Sequence, residues 1–284
     1  MDVNKRKAAL KILLAVDQSS YMDAAISLLT HVQWPHGTAT HVLPVAADDA
    51  RFRSTICKSL QPAGAVANAE GRTPGQPVTA QGGSRVRPYD LIAETEKSIG
   101  YSVPMILKRA KDLAPDLIIV GLKEQIGPPE GQLSTPAIHI LHQAHQSVLV
   151  ARPQEHIRPL PTILAVDGSP QTERMLDFVC QLSLPNWATI TVVAVAEENG
   201  MAATAAITSA KSVVQRLHNC GVQGRINILH GQAADKILLA AQAQQAGLII
   251  IGAHAQSEPE PPTYLGRVAR QVVQTAPCSV LVVR

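Results

Sequence analysis

"LLAVDQSS", Leu13 to Ser20, and "ILAVDGSP", Ile163 to Pro170, are two copies of one pattern. In each, an apolar run ends in an aspartate and then turns polar. Asp17 falls on Asp167 and Ser19 on Ser169. Without a gap the register continues to Pro35 on Pro185, Val42 on Val192 and Val45 on Val195. A short apolar run bounded by a turn reads as a buried strand, and a serine after it can cap a helix. Helices follow in both copies, "YMDAAISLLTHV" and "ERMLDFVCQLSL", with apolar residues three and four apart. Second strands, "THVLPVA" and "ITVVAVA", come next.

The register resumes later at a shorter offset. Gly100 falls on Gly231, each before a helix ("SVPMILKRAKDLA" and "AADKILLAAQAQQA"). Gly121 falls on Gly252, at the ends of "DLIIVG" and "GLIIIG". The copies close on "SVLVAR" (Ser147 to Arg152) and "SVLVVR" (Ser279 to Arg284). The change of offset puts extra residues in the first copy, within the Gly- and Pro-rich stretch Pro62 to Pro88. That stretch is expected to be a mobile, dispensable insertion. Two domains follow, residues 1–153 and 154–284, joined through the polar stretch Pro153 to Pro161.

Near-continuous apolar strands alternating with helices mean parallel α/β units. Right-handed crossovers then predict a doubly wound, five-stranded parallel sheet in each half. The two sheets are expected to pack as an intramolecular pseudo-dimer, and further homodimerisation is compatible with this. Val148–Ala151 should meet Val280–Val283 antiparallel, because both runs are otherwise exposed apolar edges. Doubly wound sheets bind ligands at the carboxyl ends of strands, where the strand order reverses. Asp17 and Asp167 stand at such ends and are candidates for ligand contact, although aspartate also serves turns and caps there.

Composition narrows the function. The chain of 284 residues is 46% hydrophobic, 17% charged and 3% aromatic, with a net charge of +3. So small a charge and so few aromatics for stacking argue against nucleic acid. No apolar run is long enough to span a membrane. The basic start "NKRKAALKILLAVD" ends in Asp17 without a cleavage-like pattern and reads as a first strand, so a cytoplasmic protein is expected. Cys57, Cys180, Cys220 and Cys278 show no CxxC spacing and are expected to be small buried thiols in a reducing compartment. His139, His142 and His145 recur every third residue, but such steps fan around a helix and no metal site is expected. His254 follows Gly252 closely and could reach a ligand; a solvated loop histidine is the simpler reading. There is no GxSxG, no Walker lysine and no Cys–His pair, so no catalytic residue and no enzyme are expected.

Taken in order and twice over, "LLAVDQSS" and "ILAVDGSP", "DLIIVG" and "GLIIIGAH", and "AHQSVLVAR" and "APCSVLVVR" resemble the universal stress proteins. The chain looks like a tandem of two UspA-type domains, which implies the adenine nucleotide alpha hydrolase-like fold and a regulatory role in stress responses. In the nucleotide-binding branch of that family the fourth strand runs into Gly-x-x-Gly, nine residues, then Gly and Ser or Thr. Glycines there let backbone N–H groups curl around phosphates, and the second Gly-Ser opens a helix whose amino end adds donors. By resemblance, Asp167 and Val195 would hold the adenosine of ATP or AMP, with Gly252, Gly266 and Arg267 near the phosphates. Any metal would be nucleotide-bound magnesium. The first-copy counterparts are Asp17, Val45, Gly121, Ser134 and Thr135.

Both copies depart from the motif. Glu124 replaces the second glycine in the first copy and would face phosphate, while Pro128, Pro129 and Pro136 remove backbone donors. In the second copy Ala255 stands there, followed by the acidic, proline-rich "QSEPEPP". The second copy is therefore the expected binder. Three readings follow: a regulatory adenine-nucleotide-binding module, a degenerate ligand-free tandem protein acting through protein contacts, and a slow nucleotide hydrolase.

Overall fold

The computed structural model describes residues 9–45 except 18, 33 and 36, then 89–93, 102–121, 135–154, 160–182, 189–196, 201–254 and 264–284. The first half contributes β1 (Lys11–Val16), α1 (Ser20–His31), β2 (Thr38–Pro44), β3 (Tyr89–Ala93), α2 (Ser102–Leu113), β4 (Leu117–Gly121), α3 (Thr135–Gln143) and β5 (Ser147–Val150). The second contributes β6 (Thr162–Val166), α4 (Pro170–Gln181), β7 (Ile190–Ala196), α5 (Met201–Asn219), β8 (Gly224–His230), α6 (Ala233–Ala243), β9 (Leu248–Gly252), α7 (Arg267–Thr275) and β10 (Ser279–Val283). The stretch Pro62 to Pro88 lies outside the described residues. No described helix is long and apolar enough to cross a membrane.

Strand order is β3-β2-β1-β4-β5-β10-β9-β6-β7-β8. Every pairing within a half is parallel, as the apolar strands predict. Strands such as β4 and β10 are buried on both faces because alternate side chains feed two cores. Ile12, Leu14 and Val16 join one core with residues of α1, α4 and α5. Leu13 and Ala15 join the other, with residues of α2, α3, α6 and α7.

The two five-stranded parallel halves meet through their last strands, as expected, and so form one sheet of ten strands. Antiparallel pairs Val150–Val280, Leu149–Leu281 and Val148–Val282 fuse the halves, at the residues the sequence points to. Unpaired backbone N–H and C=O groups along two apolar edges leave no better partner than each other.

Just past the fused strands the two closing arginines exchange places. The backbone N–H of Arg152 donates to Ser279 Oγ at 3.0 Å, and its Nη2 donates to the carbonyls of Val273 (2.9 Å) and Gln274 (3.3 Å) in the last turn of α7. The backbone N–H of Arg284 donates to Ser147 Oγ at 3.3 Å, while Nη2 donates to the carbonyl of Leu141 near the end of α3. Each cation thus sits on the open, partly negative carbonyl end of the other half's last helix. Burial lowers the pKa of both guanidinium groups, that of Arg284 to about 10.

The cysteines depart from expectation. Cys180 and Cys220 form a disulfide, with Cα atoms 5.6 Å apart. Spacing in sequence gives no hint of it, because the sulfurs meet only where two helices packed on the same face of the sheet bring their ends together. Cys278 does behave as a buried thiol, its pKa pushed up to about 12 by burial. Cys57 lies outside the described residues.

The paired glycines Gly121 and Gly252 end β4 and β9 where the first helix of each half crosses closely. A Cβ at Gly121 would stand 2.6 Å from the carbonyl oxygen of Tyr21 and 2.7 Å from Ala25 Cβ, both in α1. A Cβ at Gly252 would collide with Gln171 Cγ and touch Met175 Sδ at 3.3 Å, both in α4. A helix backbone cannot rotate aside as a side chain can. Gly121→Ala should therefore cost about 3 kcal/mol and Gly252→Ala about 1 kcal/mol, compared by urea denaturation of the two variants; the reverse order would show that Gln171 is the more rigid obstacle.

Candidate functional site

In the second half the chain runs from β6 outward to β7 and β8, then crosses back to β9 on the other side of β6. The strand order therefore reverses between β6 and β9, and the loops leaving their carboxyl ends part there. A cavity of about 520 Å³ opens at this point. That is a normal size for a small-molecule site, roughly 300–1,000 Å³. All five second-copy residues singled out by sequence line it: Asp167, Val195, Gly252, Gly266 and Arg267. Val193, Ile237 and Ile251 give it an apolar wall.

The turn after β6 shapes one side. Gly168 takes φ +76°, a left-handed conformation that glycine adopts without strain. Asp167 Oδ1 accepts the backbone N–H of Ser169 at 2.9 Å and the hydroxyl of Thr172 at 3.3 Å, while the residue as a whole stays exposed. Ser169 is the N-cap of α4, with Pro170 as the first helical residue, yet its side chain makes no capping bond. Ser169 is only 3% exposed, and its Oγ has no hydrogen-bond partner. An unmet buried hydroxyl facing a cavity is costly unless something enters to meet it.

The first half uses the same position differently. Ser19 Oγ donates to Asp17 Oδ1 and accepts the backbone N–H of Tyr21 at 3.2 Å, so it is satisfied internally. Asp17 N–H donates to the carbonyl of Gly121 at 3.3 Å and Val45 N–H to that of Val16 at 2.8 Å. Asp17, Val45 and Gly121 are thus brought together at the strand ends. Thr135 begins α3. Ser134, Glu124, Pro128 and Pro129 lie outside the described residues, as does the "QSEPEPP" stretch of the second half.

On the far side of the cavity Gly266 caps α7 and donates its N–H to the carbonyl of Ala253 at 2.8 Å. The first helical hydrogen bond is Arg270 N–H to Gly266 O, 2.9 Å, so the amides of Arg267, Val268 and Ala269 precede the ladder. All three residues line the cavity. Arg267 is exposed at its mouth. Amides that precede the helical ladder, the helix dipole and a guanidinium converge there, an arrangement suited to an anion.

His254, which sequence reasoning left to solvent, lines the cavity instead and stacks on Tyr264 with ring centroids 6.3 Å apart. Burial, then the nearby Arg284 cation, hold its pKa below the ordinary value; the carbonyl of Tyr264 opposes this in part, and Arg174 adds to it. Arg284 Nη1 also donates to the Tyr264 carbonyl at 3.2 Å, so the cavity wall abuts the junction between halves. Gln171 and Met175 of α4 complete the wall. Both were missed, and their one sequence signal is the spacing of four that puts them on the inner face of an amphipathic helix. Of the three histidines in and after α3, His139 and His145 are exposed and His142 is half-buried. Among the described residues no three His, Cys, Asp or Glu side chains are grouped to hold a metal ion.

Residues 161–284 match the model of the Universal stress protein family. The second half is a universal stress protein domain. The first half repeats its fold, and solved universal stress proteins align with the whole chain. One from Archaeoglobus fulgidus DSM 4304 covers 96% of this chain and 98% of its own, at 15% identity and a TM-score of 0.64. A candidate universal stress protein from Pseudomonas aeruginosa UCBPP-PA14 covers 99% and 95%, at 17% identity and a TM-score of 0.62. At these identities the likeness is one of fold. The universal stress protein from Archaeoglobus fulgidus in complex with dAMP covers 44% of this chain at 25% identity and a TM-score of 0.36, too local a likeness to bear on a ligand here. The comparison with curated proteins gives no match.

Burial in the folded state lowers the pKa of the His254 ring from its ordinary value of 6.5. The unfolded chain takes up the proton first as pH falls, so stability is full above about pH 7 and is lost through 6.5 and below. His41 and His142, whose pKa values burial also lowers, act in the same direction. Urea denaturation at pH 7.5 and pH 5.5 should show His254→Gln losing less stability on acidification than the unmodified protein. Equal losses would mean that folding does not lower the pKa of His254.

Proposed function

We propose that the second universal stress protein domain binds an adenine nucleotide in the cavity between β6 and β9, and that the protein acts as a nucleotide-responsive regulatory module in the cytoplasm. The observation that carries this reading is the buried, unpartnered Ser169 Oγ, which lines the same cavity as the open amino end of α7. Asp167 offers an exposed carboxylate to ribose hydroxyls, and the Val193, Ile237 and Ile251 wall offers an apolar bed for the base. The amides that open α7, with Arg267, would meet the phosphates. Magnesium, where present, would arrive on the nucleotide.

Binding rather than catalysis fits the polar groups. Ser169, His254 and Asp167 all line the cavity, a set that could suggest an activated nucleophile. The Ser169 hydroxyl has no hydrogen bond to a base, however, and an unassisted serine is a weak nucleophile.

Calorimetry with ATP and AMP tests the assignment. Arg267→Ala removes a charge-assisted contact of about 1.5–3 kcal/mol and should weaken binding on the order of tenfold or more. Asp167→Ala should do comparable damage, and Asp17→Ala should leave binding unchanged. Binding lost in Asp17→Ala but kept in Asp167→Ala would move the site to the first half. No heat at millimolar nucleotide would leave the protein-contact reading in its place.

A further inference from the structure

We infer that Cys180 and Cys220 are a redox-modification site for small thiols and disulfides of the glutathione class, and that its state sets how firmly α4 holds the wall of the cavity. The mechanical part stands on the disulfide and the helices alone. The effect on ligand affinity rests on the nucleotide reading above.

Three observations carry it. The first is access combined with selectivity. Both paired cysteines are only half-buried, whereas Cys278 is 2% exposed and its thiol is kept protonated by burial. A small thiol or disulfide can reach the pair and not the buried cysteine.

The second is that each cysteine is positioned by something other than their bond. Cys180 is the penultimate residue of α4, directly after Phe178 and Val179, which are buried in the core. Cys220 opens the turn that ends α5. Its N–H donates to the carbonyls of Arg216 (3.1 Å) and Leu217 (3.0 Å), Gly221 takes φ +77°, and Val222 N–H returns to Leu217 O at 2.9 Å. This is a helix-ending turn that the backbone makes unaided. With Cα atoms 5.6 Å apart, the pair can open and close without a backbone shift.

The third is what the bond holds. Helix α4 starts at the cavity with Ser169, Gln171 and Met175, and ends about three turns and roughly 16 Å away at the disulfide. At the cavity end Gln171 Nε2 donates to the carbonyl of Val283. Between the ends, Arg216 of α5 pairs with Glu173 and Asp177, but these side chains are 44–60% exposed and the pairs are weak ties. Helix α5 also supports the turn at the cavity, because Ser209 Oγ lies 3.2 Å from where a Cβ on Gly168 would stand. The disulfide is therefore the strong clamp at the outer end of a two-helix unit whose inner end is the cavity wall.

Chemically the exchange is balanced. One cysteine thiolate attacks a sulfur of glutathione disulfide and releases one glutathione; the second cysteine attacks the resulting mixed disulfide and releases the other. Two electrons pass from the cysteine pair to glutathione disulfide, and the two cysteine protons end on the two released thiols.

The test uses the full chain equilibrated without denaturant in glutathione buffers of graded redox ratio. Thiol trapping with mass analysis reads the state of the pair, amide hydrogen exchange reads α4, and calorimetry reads AMP affinity. The pair should titrate as a two-electron couple. Amides of Gln171 to Val179 should exchange about tenfold or more faster in the reduced form, with those of α6 unchanged, and AMP should bind several-fold more weakly. The double variant Cys180→Ser/Cys220→Ser should show the reduced behaviour in every buffer. A pair that stays oxidised in excess glutathione until the protein unfolds, or α4 exchange that ignores redox state, would overturn the inference. AMP bound equally in both states would overturn the link to the cavity. Changed α4 exchange with no AMP binding in either state would uphold the redox site and sink the nucleotide reading.

Discussion

The pairing of β5 with β10 organises the molecule. It is the one antiparallel step among the described strands, and both of its strands are apolar on both faces. Val148 and Val282 feed one core while Leu149 and Leu281 feed the other, so each core runs unbroken from one half into the other. An edge of this kind left in water would expose a row of backbone polar groups and apolar side chains together. The arginine exchange depends on the same pairing. Only when the strands are zipped do Arg152 and Arg284 reach the carbonyl ends of α7 and α3, and those buried cations then find their acceptors.

Within this near-symmetric frame the two halves have diverged at the turns. Asp17 and Ser19 bond to each other and to the start of α1, which closes the local polar chemistry on itself. At Asp167 the left-handed Gly168 and the following Pro170 turn the chain differently, and Ser169 keeps a hydroxyl that no neighbour meets. The fold is shared; the hydrogen bonding at this turn is not. The second-half cavity also borders the junction through Arg284, which touches the backbone of Tyr264 and whose charge bears on His254.

Much of this was legible in the sequence. The duplicated apolar run ending in aspartate fixes two α/β halves, and the terminal "SVLV" runs point to their own pairing, because apolar periodicity and edge physics are local properties. Asp167, Val195, Gly252, Gly266 and Arg267 do converge, as expected of loops leaving the same ends of a parallel sheet. What stayed hidden is tertiary. Nothing at Cys180 or Cys220 announces that the ends of α4 and α5 meet. Gly121 and Gly252 read as phosphate-cradle glycines, yet their observed contacts are with α1 and α4, and only a helix crossing seen in three dimensions reveals that role. Ser169 was visible as a cap; that its hydroxyl caps nothing was not.

The junction also bears on how the chain is made. Arg152 and the Ser279 hydroxyl it reaches are separated by 127 residues, so the first half is complete long before its partner strand exists. Throughout that interval β5 is an unguarded ribbon edge whose natural complement, the "SVLV" pattern, is carried by every other copy being translated nearby. Neighbouring ribosomes on one message would hold such edges at high local concentration, where exchange between chains competes with closure within one. The pace of translation through the second half therefore becomes part of how this chain folds.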